Sequence, residues 1–109
     1  HSANLEAGIR ACEVVDECVG RVVTAGLNQD YCILLTSDHG NIETMFYPDE
    51  TPNPSHGMNP VPFFLISIDN ELKSITLRKD AGLSSVAPSV LWLMNLKKPS
   101  EMTSDKIFD

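Results

Sequence analysis

Residues 31–43 read Tyr-Cys-Ile-Leu-Leu-Thr-Ser-Asp-His-Gly-Asn-Ile-Glu, and this stretch decides how the fold is interpreted. Its first part, residues 31–36, is continuously apolar, rich in β-forming side chains and too short for an independent helix, which predicts a strand buried on both faces. Gly40 and Asn41 tolerate left-handed backbone angles, so we expect a sharp turn just beyond the carboxyl end of that strand. Open α/β sheets place their active sites at this position. The stretch therefore predicts a strand that ends in a functional turn.

The turn itself carries Asp38 and His39, a pair that suits a divalent metal. Adjacent side chains in a strand point to opposite faces, whereas on a turn these two can converge on one point. A carboxylate and an imidazole are both common metal ligands. The same residues are also typical of a surface turn in which Asp38 caps the backbone and His39 is solvated. A second histidine, His56, just before another apolar run, favours the metal interpretation.

Composition limits the class of protein. The chain has 109 residues, 42% of them hydrophobic, which fits one domain at most with a modest core. A formal net charge of −7 argues against nucleic acid or an anionic membrane as partner. No apolar run is long enough to span a bilayer and no signal peptide is recognisable, so we expect a cytoplasmic protein. Cys12, Cys18 and Cys32 lack a Cys-x-x-Cys spacing and are expected to be reduced, structural thiols.

Hydrophobic periodicity predicts the remaining elements. The first is a helix over residues 4–23 that packs on a sheet, with Asn4 or Ser2 as its cap and its end marked by Gly26 and Asn28. An irregular loop over 46–58 delivers His56, and a strand over 61–68, a turn at 69–70 and an exposed edge strand over 74–78 follow. The last is a helix from near Ser85 through Leu96 with Pro88 in its first turn. Continuous apolar strands in this order predict an α/β fold with a parallel or mixed sheet covered on both faces. Two or three strands alone leave unpaired edges, which indicates missing structural partners.

Further motifs accompany the Asp-His-Gly turn. They are His-Ser-Ala-Asn-Leu-Glu-Ala at 1–7, Val-Asp-Glu-Cys-Val-Gly-Arg-Val at 15–22, Thr-Ser-Asp-His-Gly-Asn at 36–41, Ser-His at 55–56 with Asn-Pro-Val-Pro-Phe at 59–63, and Pro-Ser-Glu-Met-Thr at 99–103. Together and in this order they resemble the C-terminal part of the cofactor-independent (2,3-bisphosphoglycerate-independent) phosphoglycerate mutases. The Asp-His-Gly motif alone is shared with the wider alkaline-phosphatase-like superfamily.

The resemblance implies a fold and an activity. Residues 1–109 would be the C-terminal part of the metal-binding domain, in an alkaline-phosphatase-like three-layer sandwich with a mostly parallel sheet between helices. The complete protein would be an isomerase of glycolysis and gluconeogenesis that interconverts 3-phosphoglycerate and 2-phosphoglycerate through a phosphoserine intermediate. It would be a cytoplasmic monomer that uses two divalent metal ions, typically manganese, with cobalt or magnesium as alternatives.

Site residues follow from the matched motifs, position by position. The resemblance implies that Asp38 and His39 bind the metal that also holds the nucleophilic serine. It implies that His1 and His56 bind the other metal, together with an aspartate four residues before His1. Two metals of this kind can lower the pKa of a coordinated hydroxyl and hold the phosphoryl oxygens during an in-line displacement.

Several family features have no counterpart in this chain. Neither Ser37 nor Ser55 matches the nucleophile, so no catalytic residue is assigned here, and the other metal aspartates, the substrate-binding arginines and lysine and the transferase domain are also unmatched. Gly57 and Met58 replace threonines usual in the family, and Ser104 replaces a glycine. We therefore expect the 109 residues alone to lack mutase activity even with excess manganese, because the rest of the enzyme is needed to complete the site.

Two other interpretations stay open at this point. One is a catalytically inert fragment or interaction module that folds by association of its exposed sheet edges. The other is a phosphatase or phosphopentomutase of the same superfamily.

Overall fold

A computed structural model describes residues 4–109; the candidate ligand His1 lies outside the described residues. The helices and strands are α1 (Leu5–Leu27), β1 (Ile33–Thr36), β2 (Phe63–Ile66), a single helical turn α2 (Asn70–Lys73) and α3 (Val86–Leu93), with short 3-10 turns at Ile42–Thr44 and Leu83–Ser85. They form two compact units, residues 4–69 and Asn70–Asp109. The coarse α/β class is confirmed.

Helix α1 begins where its capping residue predicts. The Asn4 side chain accepts a hydrogen bond from Ala7 N at 3.0 Å, which satisfies one of the first free amides of the helix. The helix continues four residues beyond the predicted Val23 and has Asn28 as its C-cap. Gly26 lets β1 approach closely, since a Cβ at this position would lie 2.9 Å from Ile33 Cδ1. The helix therefore contacts the sheet near its C-terminal end.

Strands β1 and β2 form the one sheet in the described part of the chain, and it is antiparallel. Ile33 pairs with Ile66, and Thr36 pairs with Phe63. A purely parallel sheet is therefore wrong for this pair, whereas a mixed sheet, the other predicted arrangement, can contain such an antiparallel pair. Continuous apolar strands are typical of parallel sheets, but an apolar run does not by itself determine strand direction, so the same composition also forms an antiparallel pair.

The second unit contains less sheet than predicted. Residues 69–70 were expected to turn, and Asn70–Lys73 does form a helical turn. The edge strand predicted over 74–78 reduces to an isolated antiparallel bridge between Leu77 and Phe108, with Arg78 N donating to Ile107 O at 2.8 Å. Helix α3 begins after Ser85, with Pro88 in its first turn, but it ends at Leu93. Its early end coincides with Asn95, which has a φ of 54° in the left-handed region and cannot continue a helix.

Burial is concentrated at the C-terminal end of the second unit. The buried hydrophobic residues among those described are Ile107 and Phe108, and Trp92 packs against the Phe108 ring at 5.4 Å between centroids. Strands β1 and β2, expected to be buried on both faces, are instead half-buried, and Phe64 is exposed. The apolar stripe of α1, which includes Leu5, Ile9, Val15 and Val22, is also exposed. Within residues 4–109, no helix has the length and apolar character needed to traverse a bilayer.

Candidate metal centre

The candidate site lies at the edge of the sheet where β1 ends and β2 begins. In an antiparallel pair these two strand ends are neighbours, as the pairing of Thr36 with Phe63 shows. Thr36 Oγ1 also donates to Pro62 O at 2.8 Å and so extends the junction by one residue. Residues 37–62 form a single connecting segment above this edge, and that segment carries Asp38, His39 and His56.

An isolated antiparallel bridge between Gly40 and Gly57 joins the beginning of this segment to a part near its end. Gly57 N donates to Gly40 O at 2.6 Å, and the Asn41 side-chain amide donates to Ser55 O at 2.9 Å. These two bonds bracket His56 and bring it to the turn that carries His39. The prediction that the loop delivers His56 to the Asp-His turn is confirmed.

The reason for glycine at position 40 differs from the expected one. No glycine among the described residues has a positive φ, and Asn41 has an extended φ of −161°. Gly40 is buried, and a Cβ at this position would overlap the Glu43 carboxylate. Glycine is therefore needed here for close approach of a side chain to the backbone, and the expected left-handed angle is wrong.

The three described candidate ligands lie together. The imidazole rings of His39 and His56 are stacked, with 3.6 Å between centroids and 10° between planes. Asp38 Oδ2 lies 3.7 Å from His39 Nε2. The Asp38 side chain is 86% exposed and that of His39 is 31% exposed, so the carboxylate is at the surface and the imidazole is set deeper. The structure thus brings a carboxylate oxygen and two imidazoles to one edge of the sheet.

One hydrogen bond defines the tautomer of His39. Its Nδ1 lies 3.0 Å from Gly40 O, and a carbonyl oxygen can only accept, so Nδ1 carries the proton. In the neutral ring the lone pair is then on Nε2, the nitrogen nearest to Asp38. A metal-binding histidine ordinarily donates its other ring N–H to a carbonyl or carboxylate in this way.

The donor set fits one side of a divalent metal site. Two ligands of one ion, each about 2.1 Å from it at a tetrahedral angle, lie roughly 3.4 Å apart, which is close to the separation of Asp38 Oδ2 and His39 Nε2. Within residues 4–109 there is no group of three or more His, Cys, Asp or Glu side chains arranged to hold one ion. Catalytic metal sites usually have three protein ligands. Asp38 and His39 therefore have the separation of two ligands of one ion, and a complete shell would need further donors.

Glu43 belongs to the same site, although sequence analysis did not single it out. Its Oε2 accepts from Asn41 N at 2.8 Å, and its Oε1 accepts from Asn59 Nδ2 at 3.1 Å. Hydrogen bonds from its own backbone amide, from the Asn41 amide and from the Asn59 side chain hold the pKa of this carboxyl below its usual range. The only sequence signal was its place two residues after Asn41, in the turn that follows β1.

The neighbouring serines have structural contacts in this segment. Ser37 Oγ donates to His39 O at 2.8 Å, which supports the turn. Ser55 N donates to Asn53 Oδ1, and its hydroxyl lies 3.3 Å from Tyr47 OH.

Comparisons with known proteins identify the family. The family model described as the metalloenzyme superfamily matches residues 1–98. The chain is 45% identical to a 2,3-bisphosphoglycerate-independent phosphoglycerate mutase of Flavobacterium psychrophilum over 98% of its own length and 20% of that relative. It is 44% identical to the Clostridium botulinum enzyme of the same name, again over 98% of this chain and 20% of the relative. It is 36% identical to the Ehrlichia ruminantium enzyme of that name, over 100% of this chain and 21% of the relative.

These comparisons confirm the resemblance noted in the sequence motifs. The chain spans about a fifth of the length of the curated relatives it matches. The cluster of Asp38, His39 and His56 consists of side chains that commonly bind metals, and the family model's match includes all three residues. This chain belongs to the metalloenzyme superfamily.

Proposed function

We propose that the protein containing this chain interconverts 3-phosphoglycerate and 2-phosphoglycerate in the cytoplasm, through a phosphoserine intermediate. The observation that carries the proposal is the juxtaposition of Asp38, His39 and His56 in a chain of which 98% aligns with part of a phosphoglycerate mutase. Residues 1–109 would form part of the metal-binding domain, in an alkaline-phosphatase-like sandwich. The nucleophilic serine, the remaining ligands and the transferase domain would come from other parts of a monomeric enzyme.

In this proposal the described residues divide between two metal positions. Asp38 and His39 would hold one ion, and His56 would hold the other together with His1 and an aspartate four residues before His1. Manganese is our first choice, with cobalt or magnesium as alternatives, because imidazole and carboxylate ligands suit a borderline divalent ion. Such ions lower the pKa of a bound hydroxyl and neutralise charge on phosphoryl oxygens.

The residues of this chain have supporting tasks in that chemistry. Asp38 brings a negative charge to the exposed side of the site, and the Gly40 carbonyl keeps the proton of His39 on Nδ1. The stack of His39 on His56 holds the two imidazoles in parallel planes, which limits the rotation of each ring. These contacts preorganise the ligands before an ion or a substrate arrives.

The test is an assay of the full-length protein with 3-phosphoglycerate and manganese. We expect 2-phosphoglycerate as product, and a loss of at least about 100-fold in rate for Asp38→Ala and for His56→Ala, since removal of a ligand should cost more than the 10- to 100-fold typical of residues that only support ligands. Asp49→Ala is the matched control, because Asp49 is an exposed carboxylate of the same segment whose hydrogen bonds go to Thr51.

Three results would contradict parts of this proposal. Release of inorganic phosphate instead of 2-phosphoglycerate would indicate a phosphatase. Full activity of both ligand variants would remove the assigned metal roles. Conversion of 3-phosphoglycerate by the 109-residue chain alone, abolished by Asp38→Ala, would show that no nucleophile from elsewhere is required.

A further inference from the structure

The Glu43 carboxylate joins the two histidine-bearing parts of the connecting segment. One oxygen accepts from the backbone of Asn41, two residues after His39, and the other accepts from the side chain of Asn59, three residues after His56. A single side chain thus bonds to both sides of the Gly40–Gly57 bridge. No other described acidic side chain in this segment makes hydrogen bonds of this kind: Asp49 bonds to Thr51, two residues away.

The two bridge glycines leave the space that this carboxylate occupies. A Cβ at Gly40 would overlap Glu43 Oε1, and a Cβ at Gly57 would lie 2.8 Å from the same oxygen. Atoms this close would have to move apart. Because neither residue has a side chain, Glu43 can rest directly against the bridge.

Glu43 and His39 act on opposite ends of one peptide group. The Asn41 N–H, which donates to Glu43, and the Gly40 carbonyl, which accepts from His39 Nδ1 and from Gly57 N, belong to the same planar unit. A charged acceptor on the N–H fixes the orientation of that plane and polarises the carbonyl at its other end. A better-oriented and more polar carbonyl favours the His39 tautomer with its proton on Nδ1.

We infer that Glu43 is a positioning residue of the metal centre, which acts through the Gly40–Asn41 peptide to hold His39 in its ligand tautomer and His56 beside it. As far as the metal is concerned, the inference rests on the proposed function. Glu43 itself is exposed, so water competes for its hydrogen bonds and the effect on overall stability should be small. The effect on ring geometry is expected to be larger than the effect on unfolding.

The test compares Glu43→Gln with Asp49→Asn in the full-length protein. The first readout is the nitrogen-15 chemical shifts of the His39 ring in metal-free protein, which distinguish the two tautomers. The second is the affinity for manganese alone, measured by calorimetry. Glu43→Gln should give a mixture of His39 tautomers and a loss of affinity of about 10-fold. Asp49→Asn removes a comparably bonded carboxylate of the same segment and should leave both readouts unchanged.

Asn59→Ala is the second variant, and it keeps the inference falsifiable if Glu43→Gln does not fold. It removes one donor to Glu43 and should shift both readouts in the same direction by a smaller amount, about threefold in affinity. Glu43→Gln that is folded by circular dichroism and has the tautomer and affinity of the natural protein would overturn the inference, as would an unchanged Asn59→Ala. If the natural protein binds no manganese while Glu43→Gln still alters the tautomer, the proposed function fails and the positioning role stands.

Discussion

Ser89→Ala tests the packing of the second unit. Ser89 lies in α3 and its side chain is fully buried. Its hydroxyl donates to Ser85 O at 2.7 Å and accepts from Ile107 N at 2.8 Å, so one oxygen links the helix to the C-terminal segment. Alanine fits the space but cannot accept a hydrogen bond. The variant should leave the Ile107 amide buried without a partner.

The expected cost follows from that orphaned amide. A buried donor that loses its acceptor costs about 1–3 kcal/mol. With the loss of the bond to Ser85 O included in that range, we expect the free energy of unfolding to drop by about 2 kcal/mol. Ser74→Ala is the matched control. The Ser74 hydroxyl also donates to a backbone carbonyl, Glu71 O at 2.8 Å, but it is exposed. Its removal should change stability by less than about 0.5 kcal/mol.

Two measurements check this prediction. Urea unfolding gives the difference in free energy between each variant and the natural protein. Hydrogen exchange at the Ile107 amide reports the bond itself and should show protection in the natural protein and in Ser74→Ala but faster exchange in Ser89→Ala. If Ser89→Ala and Ser74→Ala destabilised the protein equally, and the Ile107 amide were equally protected in both, the reasoning would be refuted. Removal of the buried hydroxyl would then cost no more than removal of the exposed one.

Two further predictions concern other parts of the chain. Cys32 is exposed overall, but partial desolvation of its thiol and the charge of Asp69 raise the pKa of Cys32. Its alkylation by iodoacetamide at pH 8 should therefore be slower than in the urea-unfolded chain and faster in Asp69→Asn. Equal rates in the natural protein and Asp69→Asn would show that the thiol does not experience that charge. Glu50 has a φ of 64°, in the left-handed region. Glu50→Gly should relieve about 1–2 kcal/mol of backbone strain, and the greater conformational freedom of glycine in the unfolded chain should offset part of this gain. The urea midpoint of Glu50→Gly should therefore rise, whereas that of Glu50→Ala should not.

Local signals predicted local structure well. Asn4 is a good capping residue in front of an amphipathic pattern, and α1 begins there with the expected side-chain bond. Two of the three predicted strands are strands in the structure, over residues 33–36 of the first and residues 63–66 of the second. The proximity of His39 and His56 was also predictable, because each lies next to a strand and the loop between them is short enough to return.

Features that depend on contacts between distant residues were not predictable in the same way. An apolar run such as 61–68 is compatible with either strand direction, so the antiparallel register had to come from the structure. The role of Glu43 depends on Asn59, 16 residues away, and on the absence of side chains at Gly40 and Gly57. The exposed stripe of α1 shows that periodicity predicts which face of a helix favours burial but not what covers it.

The antiparallel register has a consequence for local stability. Because His39 and His56 both lie in the segment from residue 37 to residue 62, that segment can open above the sheet without separating β1 from β2. Because the stacked arrangement of His39 and His56 exists only in the closed form, an ion that requires it would bind only that form. At 100 times its dissociation constant, such an ion would make opening about 2.7 kcal/mol less favourable. Ion affinity and the resistance of this segment to proteases would then both depend on the same opening equilibrium of residues 37–62.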